Sequence, residues 1–393
     1  MYKISFLQSH PIQYHSPLYD KLEENQTIDF KIYYCSDYGL SKDGKRFHPE
    51  FGELPNWDVD LINGHTFEIL KNYGFKKGLF GGFFGLMNFG IFSKLRKDRP
   101  DVLVIIGWKY FTMIWTVLCC KLLNIKVYVR GDNSIYGDEN LTKWKFALKQ
   151  FFYGKILFPM YDRVGYVGKE NKAFFESYGI QDSKLIHLPH AVDNERFRKY
   201  YNLHKNNKEE IRDKLGISNK FNILFIGRLH PEKRVFDLIE AVDGLFEKVQ
   251  LTIIGDGKLQ SAVRRAFDAY PNTSFKMVGF KNQEELLEFY ITGDLLVLPS
   301  QLETWGLVVN EAMNFNIPII LSDKVGCAKD LCTKKNGFIF KMGDINELRK
   351  HIEYLIKNPQ IAREMGIESS VLIKQYSYEK IIENLVLSIS KEE

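Results

Sequence analysis

The sequence predicts an α/β protein of two doubly wound domains, each a parallel sheet covered by helices on both faces. Three observations carry this. Short β-branched runs recur through both halves of the chain with helix-like stretches between them, the alternation of successive βαβ units. The runs are apolar almost throughout, as in strands buried on both faces. A length of 393 residues is enough for two ordinary domains with full cores.

In chain order, residues 3–8 read as a buried parallel strand, followed by a polar loop over 9–17 and a short helix over 18–24. A second strand covers 30–35. Residues 37–64 are rich in glycine, proline and charge and exceed an ordinary connection, so a functional or mobile loop is expected. A short strand over 67–70 leads into a glycine-, phenylalanine- and lysine-rich segment over 71–87 and a helix closing on 94–97. Further strands are expected over 101–106, 126–129, 163–167 and 184–188. The charged, polar segment 194–207 reads as the linker. The second alternation has strands over 222–226, 251–254, 275–278, 295–298 and 317–321, and past 336–340 the chain reads as helical to its end. The predicted division is 1–200 and 201–376.

Composition narrows the class. Hydrophobic content of 45% and charged content of 26% are those of a soluble globular protein. The 14% of aromatic residues is read first as bulky cores. Five cysteines, Cys35, Cys119, Cys120, Cys327 and Cys332, form no Cys-x-x-Cys pair, and their odd number argues against a disulfide framework, so a reducing cytoplasm is expected. The chain starts directly on a strand pattern, without a signal-peptide core. The apolar run 111–123 is broken by Lys121 and falls short of the roughly 20 residues a bilayer span needs.

The net charge of +5 is unevenly spread: between Lys71 and Lys172 basic side chains outnumber acidic ones more than two to one. Such asymmetry fits an anionic ligand or surface. Residues 71–87 and the aromatic-basic run 143–153 suit shallow insertion among anionic lipid headgroups; the alternative is a core helix with a flexible entry. No nucleic-acid partner is expected. The localisation expected is cytoplasmic, with a peripheral place on the inner membrane face.

One stretch organises the second half: Pro299-Ser300-Gln301-Leu302-Glu303-Thr304-Trp305-Gly306-Leu307-Val308-Val309-Asn310-Glu311-Ala312-Met313. A strand that stops at Pro-Ser, a polar turn and a new helix gather several backbone N–H groups at one place, which favours an anion. Glu303 in the turn and Glu311 two helical turns on put two carboxylates at different depths of the same cleft. Acids beside an anion-binding helix start suit a ligand carrying phosphates and hydroxyls. After the first strand of that half comes Gly227-Arg228-Leu229-His230-Pro231-Glu232-Lys233-Arg234, where Arg228 and Lys233 set two cations beyond a strand's carboxyl end. Gly255-Asp256-Gly257 lacks the third glycine of a dinucleotide fingerprint, with Gln260 in its place, and reads as a structural turn.

The Ser-x-x-Glu-Thr-Trp-Gly-Leu-Val-Val-x-Glu-Ala-Met pattern around Glu303 and Glu311 resembles the paired-glutamate signature of retaining GT-B glycosyltransferases of sequence family four, glycosyl transferases group 1. Gly227, Arg228 and Lys233 resemble that family's Gly-Arg-x-x-x-x-Lys element, and Val278-Gly279-Phe280-Lys281 its nucleobase loop. The resemblance is firm over 222–340 and looser elsewhere. It implies two Rossmann-like domains facing a cleft, the first for acceptor and the second for donor, with a last helix over 377–393 packing back on the first domain.

Site roles follow from the resemblance. Glu303 would accept hydrogen bonds from donor-sugar hydroxyls, and Thr304, Trp305, Gly306 and Leu307 would offer backbone N–H groups to sugar and phosphate. Glu311 would hold the ribose diol. Arg228 and Lys233 would neutralise the charge growing on the leaving diphosphate. Gly279 and Phe280 would read the base through the main chain, a contact that does not separate UDP from GDP or ADP; a UDP-sugar is the donor expected. No other cofactor is expected, and no metal: Asp-x-Asp is absent but for Asp58-Val59-Asp60 in the irregular region.

The first domain departs from the family. Where many members carry glycines after the first strand, this chain has Ser9-His10-Pro11-Ile12-Gln13-Tyr14-His15; where many have a histidine, it has Arg130-Gly131-Asp132-Asn133. Candidates for the polar group near the reacting carbon are Asp132, then His10 and His15, with Tyr14 and His190 on the acceptor side. The expected partner is a glycan or lipid-linked acceptor in envelope or surface polysaccharide synthesis. Alternatives are a nucleotide-sugar epimerase of the same fold and an inactive membrane-associated sugar-binding protein.

Overall fold

A computed structural model describes residues 1–40, 58–75, 78–138, 142–245, 247–268 and 274–390, and the backbone of 46–48 and 52–54. Parts of the expected 37–64 loop, and Lys76 and Lys77 of the 71–87 segment, lie outside the described residues. The chain divides into two compact units, Met1–Pro189 with Tyr378–Glu393, and His190–Ser377. The division therefore falls before residue 200, and the segment expected to be a linker belongs to the second unit.

Among the described residues, the strands of the first unit are β1 (Tyr2–Gln8), β2 (Ile28–Tyr34), β3 (Arg46–His48), β4 (Gly52–Leu54), β5 (Phe67–Ile69), β6 (Val102–Ile106), β7 (Lys126–Arg130), β8 (Arg163–Tyr166) and β9 (Leu185–His187). Its helices are α1 (Ser16–Glu23), α2 (Ile91–Asp98), α3 (Phe111–Leu123), α4 (Lys143–Gln150) and α5 (Lys169–Ser177). The sheet runs β5-β2-β1-β6-β7-β8-β9, all parallel, while β3 and β4 pair as a separate antiparallel hairpin within the span expected to be irregular. Central positions such as Ile4, Leu7, Val104 and Val129 are fully buried, as the continuous apolar runs require.

The second unit continues with α6 (Asn194–His204), α7 (Lys208–Leu215), β10 (Phe221–Ile226), α8 (Val235–Ala241), β11 (Val249–Ile254), α9 (Gln260–Asp268), β12 (Phe275–Gly279), α10 (Gln283–Thr292), β13 (Leu295–Leu298), α11 (Leu307–Met313), β14 (Ile319–Ser322), α12 (Ala328–Leu331), β15 (Gly337–Phe340), α13 (Ile345–Lys357) and α14 (Pro359–Leu372). Its parallel sheet has the order β12-β11-β10-β13-β14-β15. The last helix, α15 (Tyr378–Ser390), is part of the first unit. It buries Tyr378, Ile381, Ile382, Leu385 and Ile389, an apolar stripe at helical spacing. Tyr378 donates to the Tyr14 carbonyl at 3.1 Å and Asn384 to the His187 carbonyl at 2.8 Å.

Two expectations need correction. Residues 194–204 are the helix α6, because Asp193 caps it by accepting from the Arg196 N–H at 3.0 Å and Phe197 is buried against Phe315. Its charges mark the outer face, and that charge is what makes the segment read as a linker in the sequence. β15 adds a sixth strand to the five expected, over the stretch 336–340 that sequence reading leaves unassigned; four residues are too few to announce a strand by periodicity.

Candidate active site

In the second unit β10 and β13 are hydrogen-bonded neighbours although they are not consecutive. The chain goes from β10 to β11 and β12 on one side and returns to β13 on the other, so the loops after β10 and β13 flank the point where the strand order reverses. Ligands of open parallel sheets bind at such points, beyond the carboxyl ends of the strands. The loop after β10 carries Gly227, Arg228 and Lys233; the loop after β13 carries Glu303.

The two loops meet. The Lys233 ammonium forms an ion pair with the Glu303 carboxylate, and neither side chain is more than one-fifth exposed. The Gln301 N–H also donates to the Glu232 carbonyl at 2.8 Å. Arg228 lies exposed on the same loop. A cation and an acid beyond the carboxyl ends of two central strands give a surface with complementary uses, phosphate for the one and hydroxyl for the other.

The Gly255-Asp256-Gly257 turn supports the first loop from beneath. The Leu229 N–H donates to the Asp256 carbonyl at 2.8 Å, and the Leu259 N–H to the Leu229 carbonyl at 2.9 Å. Gly255 has φ +139°, and a Cβ there would sit 1.9 Å from the Gly227 carbonyl oxygen, so a side chain is sterically excluded. The structural reading of this turn agrees with that packing.

Beyond Glu303 the chain is pinned by its own backbone. The Glu303 carbonyl accepts from the Gly326 N–H at 2.9 Å and the Trp305 carbonyl from the Cys327 N–H at 3.1 Å. Gly306 enters α11 at φ +97°, a left-handed position that suits glycine. Thr304 is exposed and Leu307 half-buried. Trp305 was expected to offer its backbone N–H to the donor, and its side chain is only 2% exposed. Its Nε1–H donates to Asn310 at 2.8 Å, and its ring lies between His190 and Tyr376, with centroids 5.7 and 6.0 Å away. The indole is a packing element; only its main chain is left for a ligand.

Glu311 is fully buried. Tyr290 donates its O–H to one carboxylate oxygen at 2.6 Å and Gln283 its Nε2–H to the other at 3.2 Å. The sequence reading did not include these partners; a tyrosine and a glutamine at the two ends of α10 carry no local signal of it. Gly279 ends β12 at φ +81° and is followed by Phe280, which is 41% exposed.

In the first unit the candidates divide. His10 shares a hydrogen bond with the Ser9 hydroxyl at 2.9 Å and packs edge-on against Tyr38. His15 lies with its Nε2 3.4 Å from Arg130, while Tyr14 lends its carbonyl to Tyr378. Asp132 is exposed two residues beyond Arg130. Arg130 is buried and donates to the Leu188 and Pro189 carbonyls at 3.1 and 2.9 Å; burial lowers its pKa, opposed by Tyr19 and Asp132. The sequence signals this buried arginine only as a cation closing an apolar strand. His190 belongs to the second unit, and its carbonyl accepts from Asn310 at 3.1 Å.

Asp60, of the sequence's one Asp-x-Asp, accepts from the backbone N–H groups of Ile62 and Asn63 at 3.1 Å each, which lowers its pKa and spends its carboxylate on its own turn. The five cysteines are buried thiols; burial pushes Cys332 up to about 12 and Cys119 to about 11, which suppresses thiolate chemistry.

Comparison with known proteins agrees with this geometry. Residues 207–370 match the family described as Glycosyl transferases group 1. The sulfoquinovosyl transferase SQD2 of Arabidopsis thaliana is 26% identical over 192 residues, 48% of this chain and 36% of that protein. The alpha-monoglucosyldiacylglycerol synthase of Acholeplasma laidlawii is 28% identical over 189 residues, 46% of this chain and 47% of that protein. The chain thus spans between about a third and a half of the length of these curated relatives. Among solved structures, Anabaena Alr3699/HepE in complex with UDP superposes with a TM-score of 0.71 at 15% identity over 100% of both chains, which establishes the fold. Residues 207–370, within the second unit, thus carry the match to Glycosyl transferases group 1, and the chain with its two parallel sheets has the GT-B fold.

Proposed function

We propose that this chain transfers a sugar from a nucleoside diphosphate sugar to a hydroxyl of a glycan or lipid-linked acceptor, with retention at the anomeric carbon and without a metal ion. The observation that carries the reading is the Lys233–Glu303 ion pair at the switch point of the second unit, with Arg228 on the same loop. The diphosphate would take Lys233 and Arg228, and a donor-sugar hydroxyl would take Glu303. As the bond from the anomeric carbon to the diphosphate oxygen breaks, the two cations stabilise the growing negative charge. The acceptor oxygen bonds to the same face of that carbon and passes its proton to a diphosphate oxygen. Positive charge from side chains performs the role a divalent ion plays elsewhere.

UDP is the base we favour, supported by the structural neighbour determined with UDP. A lipid-linked acceptor is favoured because a matched relative is named as a synthase of a glucosyldiacylglycerol. Glu311 would hold the ribose diol while Gln283 and Tyr290 fix the orientation of its carboxylate. The test is a thermal-shift screen against UDP-, GDP-, ADP- and CMP-sugars, followed by a transfer assay with diacylglycerol and polyprenyl-phosphate-linked acceptors. Stabilisation by a nucleotide sugar is expected to vanish in R228A/K233A. Absence of stabilisation by any donor would overturn the proposal.

A further inference from the structure

We infer that the first unit carries a seat for an anionic lipid monolayer, formed by the outer face of α3 together with the aromatic turn at Phe83–Phe89. This deepens the proposed function, on which it rests for its purpose: it would bring the enzyme to the surface where a lipid-linked acceptor resides.

The inner side of α3 buries Thr112, Met113, Thr116, Val117, Cys119, Cys120 and Leu123 in the core. The outer side is also apolar: Phe111, Ile114, Trp115, Leu118 and Leu122 follow one another at helical spacing. Leu118 is 42% and Leu122 75% exposed. A helix apolar all round normally lies inside a protein, yet this one has one face uncovered by the described chain. The stripe runs on into rings from the preceding segment. Phe89 lies 5.6 Å from Phe111 and 6.1 Å from Trp115, Phe84 lies 6.1 Å from Phe111, and Tyr73 lies 6.3 Å from Phe89, centroid to centroid. Phe83, Phe84 and Phe89 are each 40% exposed or more. Contiguous exposed apolar surface of this kind marks an interaction site.

Charge identifies the partner. The sequence has no Asp or Glu at all in 71–97, 102–131 and 142–161, while each stretch carries lysine. Among the described residues, every exposed large hydrophobic of the first unit except Met1, Ile69 and Leu387 falls in these three stretches. Lys71 sits over the Tyr73 ring and Lys109 over the Tyr110 ring, so cations border the rings. An apolar face edged by cations, with Asp162 at its border paired to Lys121 at 2.8 Å, fits acyl chains below a plane of anionic headgroups. A second copy fits poorly, because a two-fold contact would set this face, lysines included, against itself. With 13 residues and one side in the core, α3 lies along a membrane surface; no described helix is long and apolar enough to cross one.

Flotation with vesicles of phosphatidylglycerol or phosphatidylcholine tests this. The protein is expected to float with phosphatidylglycerol vesicles, and L118S/L122S to partition roughly tenfold or more weakly. K71Q/K109Q should lose the preference for phosphatidylglycerol while keeping the weak binding to phosphatidylcholine. Quenching of tryptophan fluorescence by brominated acyl chains, diminished in W115F, supplies a reading that does not depend on the serine variant folding. UDP-sugar binding in vesicle-free solution should be the same in all these proteins, which separates failure of this seat from failure of the proposed activity. Absence of flotation, quenching that W115F leaves unchanged, or a dimer in solution that L118S/L122S dissociates would each overturn the inference.

Discussion

Lys233 and Glu303, 70 residues apart in the chain, close on each other as an ion pair beyond the carboxyl ends of the central strands of the second sheet. In the proposed reaction each has a different partner on the donor, so donor binding must part them. K233A is expected to weaken UDP binding and lower transfer by about 10²–10³-fold. E303Q should do the opposite to UDP: releasing Lys233 from a partly buried pair worth ~1 kcal/mol tightens UDP about fivefold, while sugar transfer falls. Calorimetric titration of UDP into both variants checks this, and weaker UDP binding by E303Q would contradict the exchange of partners.

The buried Glu311 depends on α10 for its hydrogen bonds. Replacing Tyr290 by Phe removes an O–H donor from a carboxylate inside the fold, and a loss of about 1.5–3 kcal/mol is expected. A urea titration should show the midpoint falling with its slope unchanged.

Gly255→Ala is expected to be far more severe than its one added methyl group suggests. The methyl would fall on the Gly227 carbonyl, and the φ of +139° excludes alanine independently. Destabilisation above about 4 kcal/mol should follow. Where folded protein is still obtained, UDP affinity should drop as well, because the displaced loop carries Arg228 and Lys233.

How far these features could be read in advance differs by kind. The switch-point strands were evident because buried parallel strands are nearly continuous apolar runs, and the loop residues because Glu303, Arg228 and Lys233 stand in a strong local pattern. Trp305 could not be assigned that way: a tryptophan inside a functional motif looks the same whether it touches ligand or, as here, donates to Asn310. The partners of Glu311 come from another helix, and the role of Phe197 in turning charged residues 194–204 into a packed helix depends on Phe315, more than a hundred residues on. Such pairings are made by tertiary packing, which a local reading does not contain.

Acid should loosen the second unit through Asp294. Burial alone would raise the pKa of this carboxyl, but Lys208, Arg212 and the Asn222 N–H outweigh burial and hold it below the usual carboxylate range. A depressed folded pKa gives stability that is present above the unfolded value of about 3.9 and lost as pH falls through the folded one. Melting temperature should therefore begin to lose this contribution below about pH 4. D294N should lower stability at pH 7 by about 2–3 kcal/mol, a buried-pair loss discounted for partial exposure, and flatten the acid limb.

The contacts of α15 have a consequence for how the protein is made. Tyr378 and Asn384 bind the Tyr14 and His187 carbonyls, so the first unit is completed by the final stretch of the chain. His190–Ser377, by contrast, is one uninterrupted segment. During synthesis, where folding otherwise proceeds from the amino terminus, the second unit becomes complete before the first. Until α15 emerges from the ribosome, α1 and β9 lack their cover, so segments translated early are sealed late.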